Sequence, residues 1–451
     1  MAPGATWWTA GTRGRTSDVL RTPLIGAALI TVAACASSRT PAAPAPAPAP
    51  APVHPTAAER AAHEDSLRAA RQARAEADAE RAAHAVPLGR FAALPRPASR
   101  LDPLEARPVR APVRICAGGD VTLGTNLDSA WAARAQARMR DTLHRSDEPS
   151  ALLAPLRALF EGADVALVNV ESAIGEGPSP SKCGPTSTNC FAFRAPLSSA
   201  KALRSIAPRA QVVGNLANNH AYDAGRAGQD STVAALRRAG VYVSGDDTLP
   251  TLVPLRSGDT VAVLGFYTSR ETPDARDTAE VRRLVARAAD QYPIVIATMH
   301  LGAEGRAAQH TADSSEIFLG FDRGNPVAFA EAAVRGGATM VIGHGPHVLR
   351  AVEWPARGAL VAYSLGNLLT YGPFVLHDPL DRGAVLCATV DATGRVNAAT
   401  LAPTVQRAAG VVARDRSRRA ITLVDRLGRE DFPASAAHAN ARGVLAPAAR
   451  H

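Results

Sequence analysis

A layered α/β domain is the fold class this sequence predicts, and two patterns carry the expectation. Seven short apolar, β-branched runs recur from Val113 onward: "VRICAGGD", "DVALVNVES", "AQVVGNLANN", "TVAVLGFYT", "PIVIATMHLG", "TMVIGHG" and "ALVAYSLGN". Between several of them lie helical stretches, at 151–161, 229–239, 277–290 and 326–335. Strands alternating with helices argue for an α/β arrangement. After Leu386, "CATVDATGRVNAATLAPT" reads as a closing hairpin with its turn at Asp391 to Arg395. No repeat of solenoid period is visible. The expected core is one domain over 113–406, an ordinary size for a single α/β unit.

The segments before that domain have other jobs. Leu24 to Ala34 ("LIGAALITVAA") is eleven apolar or small residues preceded by Arg13, Arg15 and Arg21. It is too short to span a bilayer and has the length of a signal-peptide apolar segment. It ends in "VAAC", Val32 to Cys35, which resembles a bacterial lipobox with Cys35 as the lipidated residue; an ordinary signal peptide cleaved at "AAC-A" is the alternative. The long stretch before it leaves a start near Val19 open. Residues 1–34 thus read as a lipoprotein-type signal peptide. Ala36 is not the aspartate of an inner-membrane retention signal, so of two membranes the outer is expected to hold the anchor.

Residues 35–112 read as linker and stalk. "PAAPAPAPAPAPVHP" (Pro41 to Pro55) is a stiff polyproline spacer, because proline fixes φ and removes donors. Residues 57–85 have good helix propensity and a Glu64/Arg68 pair but almost no large apolar side chain beyond Leu67, which suits a solvated helical stalk. Residues 407–451 are Ala-, Arg- and Pro-biased and are expected to be a disordered tail.

The formal charge of +9 sits in the arms. Arginines outnumber acids three to one in 1–34, eleven to eight in 35–112 and nine to four in 407–451, which leaves the 113–406 body at −1. Nucleic-acid recognition by the domain loses its electrostatic support. An Arg-rich tail near an anionic envelope surface or polymer remains in keeping with these counts. Cys183 and Cys190 lie in one Gly/Pro/Ser-rich loop, a poor zinc spacing but an easy disulfide in an exported protein. Cys116 and Cys387 sit in apolar runs and are expected to be small buried hydrophobes.

The chemistry gathers where the apolar runs end. The first gives Asp120, the second Asn169 and Glu171, the third Asn218, Asn219 and His220. The fifth gives His300 and then Glu304, the sixth His344 and His347. Ligand sites in α/β sheets collect at the carboxyl ends of strands. Taken singly, a strand-end histidine is more often hydrogen-bonded than metal-bound. Metal-competent groups ending run after run are much harder to dismiss. Carboxylate, amide and imidazole together suit Mn, Fe or Zn better than the all-oxygen shells of Ca or Mg. Walker, nucleophile-elbow and dinucleotide motifs are all missing.

The order of "GGDVTLG", "ALVNVESAI", "LANNHAYDAGRAG", "HLGAE", "IGHGPHVLRAVE" and "YSLGNLL" resembles the CapA-type poly-γ-glutamate capsule-biosynthesis proteins, within the calcineurin-like metallophosphoesterase superfamily. The likeness covers about 113–375. It implies a four-layer α/β/β/α sandwich with metal-binding loops at one end and one or two divalent ions. Asp120, Glu171, Asn219, His300, His344 and His347 fall at the family's ligand positions. His220 falls where a leaving-group acid is expected, with Asp223 to orient it. Asn169, Arg194, Glu304 and Asn367 are candidates for substrate contact, Arg194 as a bidentate anion binder. Thr122 stands where the superfamily has a histidine, "NVE" replaces Gly-Asp, and His344 and His347 are three apart rather than two, so at least one of two usual metal sites is altered.

The resemblance implies an envelope-anchored protein in synthesis, export or retention of an anionic polymer of the poly-γ-glutamate type, with phosphoester-type hydrolysis at a metal site. Its partners would be an anionic polymer or phosphoester, the membrane through the anchor, and other capsule-synthesis proteins. A non-catalytic polymer-binding or scaffold protein on the same fold is the alternative, since fold alone does not fix function.

Overall fold

The computed structural model describes residues 107–124, 129–175, 191–269, 272–355 and 358–448. Signal peptide, Cys35, linker, stalk and the Cys183/Cys190 loop fall outside these residues. Among the described residues, no helix is long and apolar enough to cross a membrane.

Two mixed sheets make the inner layers. The first carries the parallel strands β1 (Val113–Thr122), β2 (Val165–Val170), β3 (Gln211–Asn215) and β4 (Val241–Ser244). The second carries the parallel strands β5 (Thr260–Tyr267), β6 (Ile294–His300), β7 (Met340–His344) and β8 (Leu360–Ala362). β9 (Asn367–Thr370) returns to the first sheet beside the end of β1. The antiparallel pair β10 (Arg382–Val390) and β11 (Val396–Ala408) extends that sheet on the side of β1 away from β2, the side that β9 also takes, as the closing hairpin predicted.

Alternation along each strand decides which layer a side chain joins. Ile115 and Ala117 of β1 pack with Leu167, Val213, Val263, Ile296 and Ile342 between the two sheets. Their neighbours Cys116, Ala166 and Val212 face outward onto Leu152, Leu156, Leu203 and Leu236 of the covering helices. On the far side Leu264, Val295 and Val341 pack against Val281, Val285, Phe329 and Val334 from the helices Thr278–Ala289 and Pro326–Arg335. Both faces of each sheet are covered, which is why the runs read as continuously apolar. The result is the α/β/β/α sandwich. Both helices on the far side start on side-chain caps: Asp277 accepts from Glu280 N–H, and Asn325 from the N–H groups of Val327 and Ala328.

Two expectations are corrected here. The 407–451 segment is folded as far as Ala448. β11 runs on to Ala408, and Val411–Arg414 and Val444–Ala446 both pair with its edge away from β10. The helix Arg419–Asp431 lies between, with Ala420, Ile421, Val424 and Leu427 buried. Arginine and alanine dominate the composition, yet these apolar positions recur at helical spacing and make one buried stripe. The second correction concerns Cys116 and Cys387. Both are buried in strands as expected, but the antiparallel register sets them directly opposite, Cα atoms 4.0 Å apart, as a disulfide.

Candidate metal centre

The register lines up two rows of polar residues at the carboxyl ends of the parallel strands. In the first sheet Asp120, Asn169 and Asn215 are neighbours across β1, β2 and β3. In the second, His344, His300 and Tyr267 are neighbours across β7, β6 and β5. The rows face each other through the sandwich. Asn169 Nδ2 lies 3.3 Å from His300 Nδ1, His344 Nδ1 lies 3.4 Å from Asp120 Oδ1, and Thr298 donates to Asn215 Oδ1 at 3.0 Å.

Loops deliver the rest. Glu171 comes directly after β2, and His347 comes after the Gly345–Pro346 turn that ends β7. That turn holds both Gly345 (φ 104°) and His347 (φ 59°) in left-handed backbone. Such backbone is costly for a residue with a side chain and tends to persist at functional sites. A Cβ at 345 would come 3.1 Å from the His300 ring, so glycine also meets a space limit. His347 Nδ1 stands 3.1 Å from Asp120 Oδ2, and its Nε2 stands 3.6 Å from Glu171 Oε1 and 3.8 Å from Glu304 Oε2.

Asp120, Glu171 and His347 each offer a ligand atom within 4.8 Å of the others. His300 Nε2 is 3.6 Å from Glu171 Oε1. Both Glu171 oxygens, His300 Nε2 and both His344 ring nitrogens are buried without a hydrogen-bond partner. Orphaned buried groups cost on the order of 1–3 kcal/mol each. A divalent cation among them would remove that penalty, so these residues fit a metal. Asn219 is half-buried on the loop after β3, with its Oδ1 shielded from solvent.

Hydrogen bonds fix the imidazoles. Asn367 Nδ2 donates to the carbonyls of His347 and Leu380, so its Oδ1 accepts from His347 Nδ1–H at 3.1 Å. Nε2 of His347 is left to face Glu171 and Glu304. For His300 the chain runs the other way. Asn218 Nδ2 donates to Asn169 Oδ1, which turns Asn169 Nδ2 toward Asp120 (2.9 Å) and His300 Nδ1. Ligation through His300 Nε2 would require that long His300 contact to break.

Charges reflect the burial. Burial alone would raise Asp120, but His344 and His347 outweigh it and hold the carboxyl well below its usual range. Burial, with the nearby Asp120 and Glu304 charges, pushes Glu171 well above its usual range despite His347. Burial, then Arg323, holds His300 well below ordinary histidine. Burial opposes a charge on His347, yet Glu171 and Asp120 push it up to about 10. His347 therefore carries a proton at neutral pH in the metal-free site, and ligation through it must expel that proton. Titrating the metal-free protein with Mn²⁺ at pH 7, in buffers of different ionisation heat, is expected to release about one proton per ion, with affinity rising as pH rises. Metal uptake without proton release would remove His347 from the ligand set.

The Asn-Asn-His loop carries a second device. Asn218 Oδ1 accepts from His220 N–H at 3.0 Å, while its Nδ2 donates to Asn169 Oδ1 and to the Val170 carbonyl. This amide ties the loop to the metal-side strand. Asp223, fully buried, accepts from His220 Nδ1 at 2.5 Å and from Phe193 N–H at 2.6 Å. The Phe193 ring lies 4.6 Å from the His220 ring. His220 is thereby oriented, with Nδ1 carrying its hydrogen.

Two candidates for substrate contact change role. Asn169 is 0% exposed and spends its amide on Asp120, His300, Asn215 and Asn218, so it positions ligands and cannot reach a substrate. Asn367, also buried, orients His347. Glu304 does face the centre, held by Arg323 Nη1 at 2.7 Å. Arg194 is half-buried on a two-residue strand beside Ala173, two residues past Glu171. Sequence reasoning missed Asn215, Thr298 and Arg323. Asn215 ends a strand as the named ligands do and was legible by the same rule; Arg323 carries no sequence signal.

Four layers with a buried Asp/Glu/His centre at the carboxyl edge define a protein of the architecture implied by the metallophosphoesterase resemblance. The match to known families goes further: the model of the bacterial capsule synthesis protein PGA_cap family covers residues 114–371, and the chain belongs to that family. No curated protein matches. Among solved structures, a putative 5'-nucleotidase from Staphylococcus aureus in complex with alpha-ketoglutarate is similar at 12% identity and TM-score 0.38, over 70% of this chain and 58% of that one. The chain thus spans less than two thirds of that structure.

Proposed function

We propose that this protein is a metal-dependent hydrolase of phosphoester-type bonds, held in the cell envelope, that serves synthesis, export or retention of an anionic capsule polymer. The buried Asp120–Glu171–His347 cluster, tied through Asn169 and Asn218 to the loop that carries an oriented His220–Asp223 pair, carries this reading. A divalent ion there would supply a Lewis acid and lower the pKa of a bound water. Glu171, whose Oε1 lies 3.6 Å from Nε2 of both His300 and His347, would be the carboxylate that holds the ion between these imidazoles. His220, held through Nδ1, would pass a proton from Nε2 to the leaving oxygen. The envelope location rests on the "VAAC" motif, and the polymer on family membership.

Metal content of the purified full chain, followed by turnover of bis(p-nitrophenyl) phosphate, tests the proposal. One tightly held transition metal and metal-dependent turnover are expected, with a second ion held more weakly. The second reading, a polymer-binding scaffold, is favoured by Thr122 at the usual histidine position. A chain with neither metal nor turnover would shift the reading to the scaffold.

A further inference from the structure

We infer that Arg323 is the anion-recognising residue of this centre, holding a phosphate-like oxyanion on the edge of its guanidinium that Glu304 leaves unused. The inference rests on the hydrolase reading and names what its substrate presents. Arg323 is 6% exposed, and Nη1 donates to Glu304 Oε1 at 2.7 Å. Nε and Nη2 are buried without a hydrogen-bond partner. Those two nitrogens lie on the same edge of the guanidinium plane and form the fork that takes two oxygens of a phosphate or carboxylate side-on.

The guanidinium is held in place. Its carbon sits 5.8 Å from the centroid of the Tyr267 ring, which itself lies against His300 at 5.5 Å. The Arg323 backbone donates to the Glu316 carbonyl and accepts from Gly302 N–H. Glu316 is in turn clamped bidentately by the fully buried Arg350 at 2.7 and 2.8 Å. Glu304 joins this cation to the centre, since its other oxygen stands 3.8 Å from His347 Nε2.

Glu304 balances the guanidinium charge yet occupies a single donor of the five that arginine carries. A phosphoryl group beside the centre would use the remaining edge. The bidentate role expected of Arg194 from the sequence thus has a better-placed candidate.

Calorimetric titration of inorganic phosphate into the full chain, Mn²⁺-loaded and metal-free, tests this, with metal content and melting temperature recorded for every variant. Arg323→Gln is expected to keep its metal and weaken phosphate binding roughly 10- to 100-fold, the scale of a lost charge-assisted hydrogen-bond pair. Arg323→Lys keeps the charge but lacks the fork, and is expected to recover only part. It carries the test alone should the Gln variant not fold. Wild-type phosphate affinity in either folded variant overturns the inference, as does a wild-type chain that binds no phosphate in either state. Arg323-dependent phosphate binding by a chain that takes no metal would keep the inference while removing the hydrolase reading.

Discussion

A chain truncated after Gln406 is expected to fail to fold. That cut looks harmless by composition, since residues 407–451 are Arg- and Ala-rich. It removes, however, side chains that belong to three packed layers. Val424 and Leu445 pack between the two sheets, while Leu427 and Phe432 cover the outer face of the second. Val412 packs against the outer face of the first. Phe432 stacks on Tyr363 with ring centroids 4.7 Å apart. Asp415, at 2.9 Å, is one of the carboxylates pairing with Arg382, a largely buried cation that the cut would leave with less compensation. Burying each large apolar side chain stabilises by about 1.5–3 kcal/mol, so five or six of them contribute on the order of 10 kcal/mol. A typical domain has a net stability of only about 5–15 kcal/mol. The expected outcome is insoluble protein, or soluble protein that binds a hydrophobic dye and melts without cooperativity. A chain truncated after Gln406 that melts cooperatively at the full chain's temperature would show that the last helix is dispensable.

How much of the molecule is legible in the sequence depends on how locally each feature is encoded. Every apolar run became a strand, because burial on both faces leaves a continuous signal within six or seven residues. Asp120, Glu171, His300, His344 and His347 were legible by their place at strand ends, and the structure gathers all five. Harder features depend on partners far away in the chain. Cys116 and Cys387 meet only because β1 and β10 pair in one register across 271 residues. Asn169 looks like a substrate contact until the rows align and use all of its amide. Arg323 comes just after an exposed hairpin, Ile317–Phe318 against Phe321–Asp322, with no periodicity to mark it. The last helix was obscured for a different reason: its apolar stripe of alanine, isoleucine, valine and leucine is diluted by arginines on the exposed side.

Replacing His220 by alanine is expected to cut turnover by roughly 10²- to 10⁴-fold, the usual contribution of a positioned proton donor, and to leave metal content unchanged. The structure supports this separation of effects. The contact of His220 with the Asn218 amide is made by its backbone N–H, which alanine keeps. Asn218 therefore goes on holding Asn169, and through it Asp120. The ring removed is the one bonded to Asp223 at 2.5 Å, and it is not among the three groups that come together as a ligand set. Asp223→Asn is expected to lower turnover by a smaller factor and to alter its pH profile, because an amide can still meet the ring but brings no charge to stabilise imidazolium. Asp223→Ala is a poorer probe, since it also strands the buried Phe193 N–H. Asp120→Ala should lose metal and turnover together, and Asn219→Ala should weaken metal binding. Metal analysis beside steady-state rates on the same preparations separates the classes. Loss of metal in His220→Ala, with metal retained in His300→Ala, would reverse the assigned roles and make His220 a ligand.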